Sequence, residues 1–458
     1  MREARDLTGG PIGKQIVSLA LPILGSSFTL MLYSFVDMAW LGRLSSQTVA
    51  ASGAASIFTW LVNCFTLITK VGAEVTVANG IGRKDERAAA DFAAHNITLA
   101  LYLGLVTSLT FILFTDTFIG FYGLEAPVDR YATDYLRLCA LGFPFIFLSN
   151  AFIGIYNASG LSKIPFVVNV IGLGLNMILD PIFIFVLGLG IRGAALATVL
   201  SQAILMSLFF IQMKYRDRLL GGFRMIRTLS AQTTRTILKL GVPAALMNAF
   251  LAVINLILGR FASVAGGATG VMTLTIGGQL EGITWNAGQG FSTSLSSFVS
   301  QNYGAAKYGR IREGLRFTLW LCLFFGIVGT LINYFGGSWL FSLIIPNDPH
   351  GIAAGAEYLR IDAWAQVFMM VEVCFQGFFY GMRRPLPPSA ISIGCNFLRI
   401  PMALVLLSLI GGISCLWWTI CITCILKGTL AGGYYLLKGR AKIYPPTIAP
   451  MEQIHEGA

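Results

Sequence analysis

The chain has 458 residues, of which 55% are hydrophobic and only 12% charged, with 32 Lys and Arg against 21 Asp and Glu. Soluble domains carry about 25% charged residues, and so sparse a polar set cannot clothe a water-facing surface. A soluble enzyme, a disordered scaffold and a disulfide-rich secreted domain are therefore excluded, and an all-α polytopic membrane protein remains.

A spanning helix takes about 20 mostly apolar residues. Met1 to Asp6 is polar and shows no cleavage-type site, so the first apolar run is read as a membrane helix, not a removable leader. Twelve runs follow in order, near 15–39, 54–78, 92–114, 135–157, 166–187, 193–213, 237–259, 271–300, 315–336, 358–381, 389–410 and 414–437. With the N-terminus inside, the inside segments hold 22 Lys and Arg and the outside segments only Arg43, Arg130, Arg192 and Arg260. The positive-inside rule then places both termini in the cytoplasm and the acidic 115–134 loop outside. The net charge of +11 is a topology signal and not a nucleic-acid footprint.

The eight cysteines are scattered. Cys421 and Cys424 form a C-x-x-C inside the last apolar run, where small apolar packing is the simpler reading than a redox or metal site. His95, His350 and His455 share no ligand spacing, and no metal site is expected.

The halves repeat. Leu19-Ala-Leu-Pro22 returns as Leu240-Gly-Val-Pro243, Tyr135-Leu-Arg137 as Tyr358-Leu-Arg360, and Asn176 to Pro181 as Asn396 to Pro401. Gly82 with its basic loop returns as Gly304 with Lys307. The chain thus divides into an N-terminal lobe 1–215, a cytoplasmic linker 216–236, a C-terminal lobe 237–440 and a cytoplasmic tail 441–458. Six helices per lobe insert both lobes in one orientation, so two six-helix bundles are expected about a pseudo-two-fold axis along the membrane normal.

A charge at membrane depth costs a few kcal/mol, so each acid there needs an account. Glu74 lies four residues after Lys70 and reads as a structural ion pair. Asp362 follows Arg360 near the outer end of its helix, where local pairing or hydration is expected, whereas Glu281 and Glu372 have no obvious local partner. Asp37 and Asp180 have no basic neighbour on their own helices. Tyr33 precedes Asp37 by one turn, Asn176 precedes Asp180 by one turn, and Pro181 should kink the helix beside it. Two desolvated carboxyls in the outer half of the bilayer can load and release protons. In the second half Ile400 and Arg399 stand where Asp180 does, which concentrates the ionisable machinery in the first half.

Ala20-Leu-Pro22, Val36-Asp-Met-Ala-Trp-Leu-Gly42, the Asn79-Gly-Ile-Gly-Arg-Lys-Asp85 loop and Asn176 to Pro181 together resemble the multidrug and toxic compound extrusion (MATE) family over nearly the whole chain. The chain is most similar to the DinF-like branch, which has aspartates in the first and fifth helices. That resemblance implies that Asp37 and Asp180 carry the coupling proton, with Tyr33, Asn150, Asn157, Asn176 and Thr198 as polar partners around the substrate cavity. The other main bacterial branch has acids in helices seven and ten. Leu251 and Tyr380 stand there in this chain, which favours H+ over Na+ without removing Na+ as an alternative.

The implied protein is a cation-coupled antiporter of the inner or plasma membrane. It is not an enzyme, takes no organic cofactor, works as a monomer and exports small amphipathic, often cationic, compounds by alternating access. Glu281, Glu372 and Arg399 are the lesser candidates in the C-terminal lobe. The alternative within the superfamily is a flippase for lipid-linked saccharide precursors. A flippase needs a strongly cationic cavity, for which Arg399 and Lys427 are the few candidates inside helices.

Overall fold

The computed structural model describes residues 4–120, 125, 128–216, 225–346 and 348–439. The predicted tail 441–458 and residues 217–224 of the predicted linker lie outside the described residues. The helices are α1 Ile12–Gly42, α2 Ser46–Gly82, α3 Glu86–Gly120, α4 Val128–Ala140, α5 Phe143–Ala158, α6 Lys163–Pro181, α7 Gly190–Arg216, α8 Ala231–Gly304, α9 Tyr308–Ile344, α10 Pro349–Gly381, α11 Leu386–Leu409 and α12 Ser414–Tyr434. Among the described residues there is no strand.

Each of the twelve expected spans has its helix, although the numbering of elements differs. Helices α4 and α5 meet at a 49° bend and make one span. Helix α8 runs 74 residues but breaks at Gly267, whose φ of +57° and ψ of −146° suit only glycine, so it supplies two spans. Nine helices among the described residues are long and apolar enough to cross a membrane, and the bent pair is a tenth. The remaining two are 268–304 and α10, which carry Gln, Ser, Asn and acidic residues in place of a continuous apolar run. Their polarity fits their place, because most side chains from Phe291 to Asn302 and from Met369 to Met382 are buried. By contrast Trp320, Phe324, Phe335 and Trp339 of α9 are exposed, as a lipid-facing surface requires.

Pro181 does not break α6 sharply. The chain passes through it into a π-helical turn, Ile182–Val186, closed by Leu187 N donating to Ile182 O at 2.8 Å. Such turns absorb a missing proline donor and recur at functional sites.

The repeat is written into the backbone more clearly than into the sequence. Left-handed φ values occur at Lys84 (59°) and Ala306 (56°), at Gly160 (72°) and Arg383 (61°), and at Gly190 (56°) and Gly412 (80°). The partners in each pair are 222 or 223 residues apart. Contacts between the bundles are reciprocal as well. A Cβ on Gly82 would lie 1.9 Å from Gln301 O, and one on Gly304 would lie 2.3 Å from Asn79 O. Residues 82 and 304 are repeat equivalents, and so are 79 and 301, so the first bundle touches the second as the second touches the first. Only a two-fold relation produces that exchange.

These glycine contacts bring α2 and α8 together at the end that bears the basic loops, here termed the basic end. The segment before α1 straps the same place. Arg5 N donates to Ser159 O at 2.8 Å, on the first bundle. Leu7 N donates to Gln301 Oε1 at 2.9 Å, and Gln301 Nε2 donates to Ala158 O at 2.8 Å. Arg310 donates to Gly10 O at 3.0 Å and Lys307 to Thr8 O at 2.9 Å. The two bundles are joined at the basic end by these polar contacts.

Candidate functional site

Five of the first-half candidates, Tyr33, Asp37, Asn176, Asp180 and Thr198, converge toward the end opposite the basic loops. Asp37 lies five residues before the end of α1, where Arg43 stacks over Trp40 with its guanidinium carbon 4.5 Å from the ring centroid. Asp180 lies at the end of α6, fully buried. Asn176 Nδ2 donates to Asp180 Oδ1 at 2.9 Å, and Tyr135 Oη on α4 donates to Asp37 Oδ2 at 3.3 Å. The two carboxyls sit within electrostatic reach of each other, and both act on the hydroxyl of Tyr33, which faces Thr198 of α7.

The satisfied contacts account for only part of this site. Asp37 Oδ1, Asp180 Oδ2, Asn176 Oδ1, Tyr33 Oη and Thr198 Oγ1 are buried without a hydrogen-bond partner of good geometry. Buried polar atoms are ordinarily paired, and here the two aspartates each keep one such oxygen free beside Asn176, Tyr33 and Thr198. No described lysine or arginine pairs with either aspartate, so their charge is uncompensated within the bundle.

Two expected partners stand elsewhere. Asn150 Nδ2 donates to Ile146 O of its own helix at 3.1 Å, with no bond to either aspartate. Asn157 Nδ2 donates to Glu74 Oε1 at 3.1 Å. Lys70 and Glu74 make no direct ion pair within 4.0 Å, although Lys70 stays within electrostatic reach, and the direct partner of Glu74 is Asn157 across on α5. Nothing in the spacing of residues 83 apart announces it. Tyr135 was visible as part of a repeated motif, but its hydrogen bond to Asp37 spans 98 residues and could not be read from the chain.

The second half is richer in buried ionisable groups than the sequence suggests. Lys427 Nζ lies 3.2 Å from Glu372 Oε2, with both side chains nearly inaccessible. Asp362 does not pair with Arg360. It is buried and accepts from Asn333 at 3.4 Å and from Gln366. Glu281 accepts from Tyr358 Oη at 3.3 Å. Arg399 donates to Thr423 Oγ1 at 2.9 Å and to Cys424 Sγ at 3.1 Å. Glu281 and Glu372 therefore do have partners, contributed by other helices, and ionisable side chains line both halves. Among the described residues no group of three or more His, Cys, Asp or Glu is placed to hold a metal ion.

A polytopic bundle pair with an internal two-fold, scarce but clustered buried acids and a sealed basic end defines a membrane transporter. The chain belongs to the MatE family, whose model matches residues 22–182 and again residues 243–405, one match for each repeat. It is 27% identical over 407 residues to the probable multidrug resistance protein NorM of Thermotoga maritima, covering 86% of each chain. It is 24% identical over 409 residues to the multidrug export protein MepA of Staphylococcus haemolyticus, covering 89% of each. Its fold matches the outward-facing conformation of a multidrug resistance MATE family transporter with a TM-score of 0.88 at 22% identity, over 97% of this chain and 99% of that one.

Proposed function

We propose that the chain is a proton-coupled antiporter that exports small amphipathic, often cationic, compounds across the plasma membrane. Residues 1–215 and 237–440 act as the two moving lobes, joined by the 216–236 linker. The observation that carries this reading is the Asp37–Asp180 pair, two carboxyls in mutual reach, each with one oxygen left unbonded. An uncompensated carboxylate in a bundle attracts a cation. When a proton binds it, that attraction ends. One site can therefore hold either a cationic compound or the proton that displaces it.

The positive-inside rule assigns the basic end to the cytoplasm. With the lobes sealed there by Gly82, Gly304 and the strap, the aspartates face the outside, where protons enter. Protonation releases the compound outward. Parting the lobes at the basic end then returns the protons inside and admits the next compound. Each ligand shifts the equilibrium only through its different affinity for the two states. Transport into proteoliposomes under an imposed pH gradient tests the reading. Asp37→Asn and Asp180→Asn should each abolish pH-driven transport while leaving the protein folded, and full transport by both would overturn it.

A further inference from the structure

A polar cavity lies between the bundles, away from the aspartate pair. It measures about 60 Å³, and its lining includes Lys70 and Glu74 of α2, Asn248 and Ser296 of α8, and Gln376 and Tyr380 of α10. Glu74 is eight residues from the basic end of α2, or ~12 Å at about 1.5 Å per residue. The aspartate pair is near the opposite end. The cavity also sits on the internal two-fold, since Glu74 and Ser296 are repeat equivalents 222 residues apart and face it from opposite bundles.

The symmetry of position is not a symmetry of chemistry. On the α2 side the cavity has a carboxylate and an ammonium, four residues apart, that do not pair within 4.0 Å. Glu74 is buried and has Asn157 on one oxygen only, while Ser296 Oγ opposite is buried with no hydrogen-bond partner. Neighbouring Asn248 and Gln376 add amide groups. A lipophilic monocation gains nothing from Lys70 or from this ring of amides and hydroxyls. A compound bearing both an ammonium and an acid group satisfies both charges at once.

We infer that this cavity is the cytoplasm-facing binding site for zwitterionic compounds, with Glu74 receiving the ammonium and Lys70 the acid group. The inference rests on the alternating-access reading above, because the cavity admits an organic compound only when the lobes part at the basic end. It names the substrate class at that face, where the aspartate pair governs release at the other.

Equilibrium binding to the purified chain in lipid nanodiscs, without any gradient, tests the site separately from coupling. Nε-dansyl-lysine supplies a fluorescent zwitterion, its methyl ester the ammonium alone, and its Nα-acetyl derivative the carboxylate alone. The unsubstituted chain should bind the zwitterion ~tenfold or more tighter than either derivative, an increment expected for one added charge contact. Glu74→Gln should erase the preference over the acetyl derivative, and Lys70→Met the preference over the ester. Ser296→Val, which fills the cavity from the other bundle, should weaken all three and serves if a charge variant fails to fold. Equal affinities for the three probes, or a zwitterion preference unchanged in these variants, would overturn the inference. The binding assay needs no gradient, so a zwitterion preference found together with no pH-driven transport would overturn the coupling reading and leave this site standing.

Discussion

Tyr135 donates its phenol to Asp37, and its repeat equivalent Tyr358 donates to Glu281, both at 3.3 Å. The two tyrosines are 223 residues apart, yet the acids they meet are not equivalent, since Asp37 is on α1 and Glu281 on α8. The repeat has kept the donor and moved the acceptor. A hydrogen bond to a charged group contributes about 1.5–3 kcal/mol. Tyr135→Phe should therefore raise the apparent proton affinity of transport about ten- to a hundredfold and leave maximal transport largely intact. The pH dependence of substrate efflux from vesicles measures this, and complete inactivation would show that the tyrosine does more than hold the carboxyl.

Glu372 and Lys427 bury opposite charges against each other. Removing one partner leaves the other unpaired in a water-poor interior, which costs about 3–5 kcal/mol. Lys427→Met should lower the unfolding temperature in detergent markedly, and adding Glu372→Gln should recover most of the loss. A double variant no better than the single one would mean that the lysine contributes through packing.

Gly82 has no room for a side chain while the lobes are closed, because Gln301 O would lie 1.9 Å from its Cβ. Gly82→Ala should hold the lobes apart at the basic end, and Gly304→Ala should do the same through Asn79. The readout is maleimide labelling of a cysteine placed at Ser296, against native thiols that are all buried. Labelling should speed up several-fold in both variants, and an unchanged rate would place the seal elsewhere.

The strap carries a small pH dependence. Asp6 accepts from Thr8 N at 2.7 Å, and hydrogen bonding to Thr8, followed by lesser help from Lys307, holds its carboxyl below the ordinary value of 3.8. The depressed value means that its contribution is complete above pH 3.8 and is lost as pH falls through the lower value. The group is mostly exposed, so solvent screens the effect. Protease cleavage near residues 5–10 should therefore be insensitive to pH from 5 to 8, whereas Arg310→Ala, which removes bonds to the Gly9 and Gly10 carbonyls, should accelerate it.

The helices were legible in the sequence because lipid imposes long apolar runs that one chain displays unaided. Even 268–304 and α10, despite their polarity, showed as apolar runs near 271–300 and 358–381. The aspartates were legible for the same reason, as charges where charges are costly. Their surroundings were not. Glu74 with Asn157, Asp362 with Asn333 and Glu372 with Lys427 are joined across helices, and neighbours along the chain gave the wrong partner for Glu74 and Asp362. The left-handed turns that the repeat shares were not visible either. The Gly82 and Gly304 match makes Lys84 and Ala306 equivalent, but they share no chemistry, so residue identity could not reveal their common left-handed conformation.

The central claim is that Asp37 and Asp180 couple transport to protons. Purified chain in proteoliposomes, loaded with a fluorescent cation and given either a pH gradient at equal sodium or a sodium gradient at equal pH, tests it most directly. The account predicts transport driven by the pH gradient alone and lost in Asp37→Asn and Asp180→Asn. Transport driven by the sodium gradient alone, or retained in full by both variants, would contradict it.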